Sequence, residues 1–205
     1  MVRKFLFMGL YAHAFLTHDR EHYPPSPEIE FDDLETFEHS KLKPLSVVMA
    51  VESSTRRILG FRVARMPAKG LLVKKSLEKY GKISDERAYY RKALFKEIQP
   101  YIQEGALIKS DENPHYQKHV KAFFPKSPHV IFKGRKGCVV GQGELKSGGF
   151  DPLFSLNHSF AMFRANINRL FRRTWNTTKK KEHLAVAIAI YALYHNLELI
   201  KNPST

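Results

Sequence analysis

Cysteine is nearly absent from this chain of 205 residues, in which Cys138 is the only example. A single cysteine excludes an internal disulfide and a zinc finger built on cysteine pairs. A chain without disulfides suits a reducing compartment, and we expect a cytoplasmic protein. Apolar runs are also short, because none approaches the roughly 20 residues that a membrane-spanning helix needs. The sequence therefore predicts neither a disulfide-bonded scaffold nor a membrane partner.

Acidic residues are scarce as well, with 20 Asp and Glu against 34 Lys and Arg and a net charge of +14. Such an excess of positive charge favours binding to a polyanion, most often nucleic acid. The alternatives are a charge surplus that serves solubility and a structural protein of the ribosomal type. Against this background, six acids lie within eleven residues that contain no Lys or Arg: Glu28, Glu30, Asp32, Asp33, Glu35 and Glu38.

Proline divides the chain near its start. Residues 1–23 resemble a signal peptide only superficially, since histidines and acids interrupt them and no small-residue cleavage site follows. We expect an amphipathic helix there, ended by the stiff run Pro24-Pro25-Ser26-Pro27. The predicted organisation is a helix and linker over 1–27, one domain over 28–200 and a tail over 201–205.

The pattern of apolar residues predicts an α/β fold. The continuous apolar run at 45–53 is typical of a strand buried on both faces. We expect strands at 28–37, 45–53, 58–66, 106–111 and 129–134, and helices at 84–102, after Pro114, at 156–173 and at 181–200. Ser84 is the expected N-cap of the first of these helices. Three strands in succession, followed by alternating helices and strands, indicate a five-stranded mixed sheet flanked by helices. This order resembles that of the ribonuclease H-like fold.

Acids at two strand positions suggest a shared metal site. Two-metal phosphoryl-transfer enzymes need carboxylates from separate strands that converge on one point, and Mg²⁺ prefers oxygen ligands. Asp32 or Asp33 in the first strand and Asp111 at the end of the fourth strand fit this requirement. Alternation along a strand does not separate Asp32 from Asp33. The alternatives are a turn or capping role for Asp111 and a solvated surface for the acidic stretch.

Three segments resemble the catalytic core of DDE-type insertion-sequence transposases. They are "FDDLETFEHSK" with the following "LSVVMAVESSTRRILGFRVA", then "IKSDENPHYQKHVKAFFPKSPHVIFKG", and finally "LNHSFAMFRANINRLFRRTWNTTKKKEHLAVAIAIYALYHN". Together they cover about 28 to 200, and their order and spacing carry the resemblance. The resemblance implies a ribonuclease H-like catalytic domain that uses Mg²⁺ or Mn²⁺.

The resemblance also implies the site residues. It makes Asp32 the first catalytic metal ligand, with Asp33 as its substitute, and Asp111 the second. The third position falls on Asn157, where the family usually has Glu. Asn157 can coordinate a cation but brings no charge. The other readings are that His158 or Asp151 fills the position or that the copy is inactive.

Helical spacing puts Asn157 on one face with Arg164 and Asn168, beside an apolar stripe that would pack on the sheet. An N-cap role is the competing reading of Asn157. Glu28, Glu30, Glu35 and Glu38 are expected to lie on the surface. His115 and His119 lie four residues apart on a predicted helix, but no third zinc ligand is near them, so we expect them on the surface too.

The stretch 152–181 has no acid and predicts a DNA-binding surface. The expected contacts are Arg164 near the metal site, Arg172 and Arg173 on flanking DNA, and further Arg169, Lys179 and Lys180. Trp175 would stack on a base or pack in the core. The Gly-rich stretch 134–150 lacks the ending of a P-loop and predicts a loop, with Lys133, Arg135, Lys136 and Lys146 near DNA.

The implied function is metal-dependent DNA strand cleavage and strand transfer in insertion-sequence transposition. Its implied partners are the element ends and target DNA, with a homodimer in the synaptic complex and a place at the nucleoid. The family usually carries a separate N-terminal DNA-binding module, so the resemblance suggests a truncated element or a fragment that starts at an internal Met. The alternatives are an inactive or non-catalytic nucleic-acid-binding derivative of the fold and a stand-alone nuclease.

Overall fold

The computed structural model describes residues 2–133, 151–170 and 178–200. Five strands are β1 (Ser26–Phe37), β2 (Pro44–Glu52), β3 (Ile58–Arg65), β4 (Ile102–Asp111) and β5 (His129–Phe132). The α-helices of this part are α1 (Val2–Asp19), α2 (Leu72–Tyr80), α3 (Arg87–Ile98), α4 (Tyr116–Phe123), α5 (Phe154–Asn166) and α6 (Lys181–Tyr194). A short 3₁₀ turn follows α5 at Asn168–Leu170, and a π-helical turn follows α6 at His195–Leu199.

The five strands form one mixed sheet in the order β3-β2-β1-β4-β5. β1 and β3 both pair antiparallel with β2, whereas β4 is parallel to β1 and to β5. The residues of β2 from Leu45 to Glu52 are all buried, as its continuous apolar run predicts. The expectation of an α/β fold with a five-stranded mixed sheet flanked by helices is confirmed.

Each face of the sheet is covered by its own helices. On one face, Leu34 of β1 and apolar residues of β2 and β3 pack with α1, α5 and α6. On the other face, Ile29 and Phe31 of β1 pack with α3 and α4. Because the two clusters take alternate residues of the same strand, they show which side of β1 each side chain occupies.

Helix α1 packs against α6 along a line of small and apolar residues. Ala12 and Leu16 of α1 are buried in the same cluster as Leu184 and Ile188 of α6. A side chain at Gly9 would overlap Val186 of α6. Glycine is needed here because the two helices approach closely. Within the described ranges, no helix is long and apolar enough to cross a membrane.

Several element boundaries differ from those expected. β1 starts at Ser26, inside the expected linker, because Ser26 pairs with Ile102 of β4. α3 spans Arg87–Ile98 instead of 84–102, and β5 ends at Phe132 instead of 134. β4 starts at Ile102 instead of 106, because its first residues pair with the start of β1 across an irregular register that contains Gly105 at a φ of 78°. α5 ends at Asn166 instead of 173, and Ile167 has an extended backbone. The Asn166 amide donates to the Met162 carbonyl, a side-chain interaction that competes with continued helix.

Three further expectations about single residues or segments were wrong or incomplete. Ser84 does not cap α3, whose N-cap position is Glu86. His119 is buried beside Arg91 instead of lying on the surface. Helix α2 was not expected. The Gly-rich stretch 134–150 and the residues 171–177 and 201–205 lie outside the described residues.

Candidate active site

The parallel pairing of β1 and β4 brings the two predicted acids together. Glu28 is opposite Leu107, and Glu30 is opposite Lys109, which is a constant difference of 79 positions. The paired ladder ends at Glu30 and Lys109. The same register continued by two residues sets Asp32 opposite Asp111, since 32 + 79 = 111. Asp32 and Asp111 therefore lie just beyond the last paired residues of the two strands, near enough for the charge of Asp111 to raise the pKa of Asp32.

Asp32 and Asp111 share a face of the sheet. Alternation along β1 places Asp32 on the side of Leu34, which faces α5, and Asp33 on the side of Phe31, which faces α3 and α4. Alternation along β4 places Ile108 toward α4 and Asp111 on the opposite side. The α5 side therefore receives both carboxylates.

The carboxylate of Asp32 is largely withdrawn from water and held at one oxygen. Its Oδ1 accepts hydrogen bonds from the Asp33 backbone N–H at 2.6 Å and from the Tyr116 hydroxyl at 2.8 Å. The pKa of Asp32 is raised to about 7, first by burial and next by the negative charge of Asp111, while the two hydrogen bonds oppose the rise. A bound cation would favour the charged form of this carboxyl group.

Asp33 is engaged in a different network. Its Oδ2 accepts from Arg91 at 2.7 Å and from the Tyr116 hydroxyl at 2.9 Å, and its Oδ1 accepts from Ser46 at 2.9 Å. The Arg91 guanidinium also lies 4.4 Å from the centroid of the Tyr116 ring. The charge of Asp33 is thus balanced by a buried arginine, and this carboxylate anchors β1 to α3 and α4.

Asp111 makes the turn after β4, as one of its two interpretations predicts. Its Oδ1 accepts a hydrogen bond from the Asn113 backbone N–H at 3.0 Å. Burial raises the pKa of Asp111, and that hydrogen bond opposes the rise. A turn residue at a strand end therefore also contributes a half-buried carboxylate beside Asp32.

Helix α5 is fixed to β1 next to this pair. Oε2 of Glu30 accepts a hydrogen bond from the Leu156 backbone N–H at 2.8 Å, in the first turn of α5. The Ser155 hydroxyl donates to the Ser53 carbonyl in the turn after β2. A carboxylate at a helix N-terminus satisfies a free N–H group and complements the helix dipole. The first turn of α5 is therefore held two residues before Asp32 along β1.

Asn157 lies in the same first turn of α5 and is exposed. Its Nδ2 donates to Asp151 Oδ2 at 2.9 Å. The N-cap reading of Asn157 is wrong, because Leu153 occupies that position. His158 contacts Arg56 at 3.3 Å, in the turn between β2 and β3. The described contacts of Asn157, Asp151 and His158 do not include Asp32 or Asp111.

Four residues of this region were missed or misjudged from the sequence. Glu30 was expected on the surface, but only 3% of it is exposed. The expected surface position of Glu38 was also wrong, because Glu38 is buried. Arg91 and Tyr116 gave no sequence signal except that a tyrosine follows the acid at the end of β4. Their role depends on α3 and α4 crossing the same face of β1.

Asp32 and Asp111 are the residues of this site that could hold a metal ion. Within residues 2–133, 151–170 and 178–200, no group of three or more His, Cys, Asp or Glu side chains could hold a metal ion. Mg²⁺ is commonly held by one or two carboxylates together with water and substrate phosphates. Asp32 and Asp111 suit that pattern, and each has one oxygen outside the hydrogen bonds described above.

The predicted DNA-binding residues of the stretch 152–181 that the structure describes lie in three places: before α6, in the 3₁₀ turn after α5, and on α5 itself. Thr178 forms a bridge with Glu38 just beyond β1, and the exposed Lys179 and Lys180 follow it before α6. Arg169 lies in the 3₁₀ turn, with its guanidinium 5.6 Å from the centroid of the Phe5 ring. Arg164 is half-buried on α5. Arg172, Arg173 and Trp175, and also Arg135, Lys136 and Lys146, lie outside the described residues.

No protein-family model matches this chain, and no curated protein is detectably similar to it in sequence.

Proposed function

We propose that this chain is the catalytic domain of a DDE-type insertion-sequence transposase with a ribonuclease H-like fold. It would cleave DNA strands and join the freed 3′-hydroxyl to target DNA. The observation that carries this proposal is the register of β1 against β4, which pairs Glu30 with Lys109 and, continued by two residues, sets Asp32 opposite Asp111. The sheet order, with three antiparallel strands followed by two parallel ones, supports the same fold family.

Asp32 and Asp111 would hold Mg²⁺ or Mn²⁺, with Asn157 as the third ligand. When bound, the metal would activate the attacking oxygen and stabilise the leaving oxygen of a phosphodiester. The chain's own part is positioning. Tyr116 and the Asp33 backbone fix the orientation of the Asp32 carboxylate, and Glu30 fixes the turn of α5 that carries Asn157. The raised pKa of Asp32 supports this assignment, because functional sites are where such shifts concentrate.

The net charge of +14 supports DNA as the substrate. Lys179 and Lys180 would hold phosphates near the end of β1, and Arg164 would do so along α5. These contacts would be independent of sequence, since backbone phosphates carry no base information.

Metal-dependent nicking of supercoiled DNA tests the proposal. Asp32→Asn and Asp111→Asn are expected to lower the nicking rate by about 100-fold or more, because each removes a charge that would hold the metal. The same variants should lose the Mn²⁺ binding that calorimetry detects in the wild type. Asp85→Asn is the matched control, because Asp85 is an exposed acid paired with Arg87. Unchanged nicking by both active-site variants would refute the catalytic assignment.

Product analysis separates the rival functions. A transposase should yield strand-transfer products from a DNA end with a free 3′-hydroxyl, whereas a stand-alone nuclease yields only cut strands. A wild-type protein that binds DNA but shows no metal binding in calorimetry would establish the non-catalytic alternative. Asn157→Ala, compared with Asn168→Ala, tests the third ligand: only the first should weaken Mn²⁺ binding.

A further inference from the structure

A cavity of about 790 Å³ lies between α1, the end of α5 and α6, away from the two acids. Its walls combine aromatic, aliphatic and amide side chains with two cations. The lining residues are Phe5, Asn166, Ile167, Asn168, Arg169, Lys179, Ala187, Ile190, Tyr191 and Tyr194. The volume is in the range of pockets that take a small planar ligand.

Tyr191 and Tyr194 line the pocket from positions three residues apart on α6. The Tyr191 hydroxyl accepts a hydrogen bond from Asn166 Nδ2 at 3.0 Å, and its ring makes an edge contact with Phe163, with centroids 4.8 Å apart. Tyr191 is therefore held rigidly. Tyr194, whose ring centroid lies 6.3 Å from that of Tyr191, is 51% exposed. One fixed ring and one accessible ring thus form part of the same pocket.

The two charged side chains that the described residues contribute to the pocket are both cations. Arg169 and Lys179 are among its lining residues, and no acid is among those that the described ranges contribute. The Arg169 guanidinium lies near the Phe5 ring, where it forms part of the wall. A ligand that suits this pocket has a flat aromatic part for the tyrosines and an anionic part for the cations.

We propose that this pocket binds an unpaired nucleotide of a DNA strand. Its base would stack on Tyr194, and its phosphate would lie against Arg169 and Lys179. Every base has a π-face, so aromatic stacking combined with cations is a general way to hold unpaired nucleotides. The proposal rests on the proposed function in one respect only, which is that the partner is DNA. It does not depend on metal binding by Asp32 and Asp111.

A binding measurement in EDTA tests the pocket without cleavage. The probes are a fluorescent fully paired duplex, the same duplex with one bulged nucleotide and the same duplex with an abasic bulge. The wild type is expected to bind the base-containing bulge more tightly than the other two. A 2-aminopurine in the bulge should lose fluorescence on binding, because it stacks on a ring.

Tyr194→Ala and Tyr194→Leu should each weaken binding to the base-containing bulge by roughly 5-fold or more, from loss of base stacking. Their affinity for the paired duplex should stay unchanged. Tyr194→Phe keeps the ring and should keep the preference. Tyr89→Ala is the control, because Tyr89 is a 70% exposed aromatic on α3, across the sheet. Arg169→Ala should lower affinity for the bulge more than Lys126→Ala, which removes an equal charge from an exposed site.

The proposal is overturned if the wild type binds the abasic bulge as tightly as the base-containing one. It is also overturned if Tyr194→Ala and Tyr194→Leu, folded as judged by their melting curves, keep the full preference. The Asp32→Asn variant distinguishes a failure of the pocket proposal from a failure of the proposed function. If that variant keeps the bulge preference but wild-type nicking is absent, the pocket stands and the transposase assignment fails.

Discussion

The hydroxyl of Tyr116 lies 2.8 Å from Oδ1 of Asp32 and donates a hydrogen bond to it. The same hydroxyl is 2.9 Å from Oδ2 of Asp33, so one phenol from α4 contacts neighbouring carboxylates that belong to opposite faces of β1. The contact couples the structural carboxylate of the core to the carboxylate of the candidate active site.

Tyr116→Phe should raise the pKa of Asp32 above its value of about 7. The hydroxyl donates to the charged carboxylate and therefore holds the pKa down, so its removal acts upward, by roughly one pH unit. Titration of the Asp32 carboxyl carbon by NMR measures this change. Tyr89→Phe, on the exposed side of α3, should leave the titration unmoved. A downward or absent change in Tyr116→Phe would contradict the assigned hydrogen bond.

Asp32→Asn should become more stable relative to the wild type as the pH rises. The folded-state pKa of Asp32 is raised from 3.8 to about 7, so the stability associated with its protonated form is complete below about pH 4 and is lost as the pH rises through 7. The Asn side chain keeps an acceptor for Tyr116 and does not titrate. Urea unfolding in EDTA should show a relative gain of about 2–4 kcal/mol between pH 4 and pH 8. A difference that is constant with pH would refute the raised pKa.

Glu30→Ala should destabilise the protein by about 1–3 kcal/mol, because it leaves the Leu156 N–H of α5 without its buried acceptor. Glu30→Gln keeps an oxygen at this position and should cost less. Glu28→Ala is the matched control, since Glu28 makes a partly exposed ion pair with Lys109 and should change stability by about 1 kcal/mol or less. Equal losses in Glu28→Ala and Glu30→Ala, measured by urea unfolding, would show that Glu30 does not anchor the helix.

Arg91→Ala should cost about 3–5 kcal/mol in the free energy of unfolding, because it leaves the buried carboxylate of Asp33 without its partner. Arg87→Ala breaks a more exposed pair with Asp85 and should cost about 1 kcal/mol or less. Thermal or urea unfolding of the two variants side by side measures the contrast. Similar small losses in both would mean that Arg91 does not neutralise Asp33.

Gly9→Ala should destabilise the fold by about 1–3 kcal/mol, because its new methyl group would overlap Val186 where α1 packs on α6. Val186→Ala in the same chain should restore part of this loss by making room for the methyl group. A double-mutant cycle from urea unfolding gives the coupling energy between the two positions. A coupling energy near zero would show that the two helices do not approach closely at this point.

Much of the sheet could be predicted because its signals are local. The buried run of β2 and the sequence of three strands before the first helix of the domain gave the fold class, and both strand positions of the candidate acids were predicted. The extent of β4 was not predicted. Its first residues include Gln103, Glu104 and Gly105, which have no apolar pattern and lie in an irregular stretch between the paired positions Ile102 and Leu107.

The sequence by itself determined that Asp32 and Asp33 point to opposite sides of a strand, since alternation is a property of the extended backbone. It also determined that an acid ends β4 and that the chain is strongly basic. Only the tertiary structure decided which acid shares a face with Asp111, because that depends on the register of β1 against β4. The burial of Glu30 was also decided by the tertiary structure, because it results from the packing of the first turn of α5 on β1. A side chain's neighbours across strands and helices come from register and packing between distant segments, and no local pattern records them.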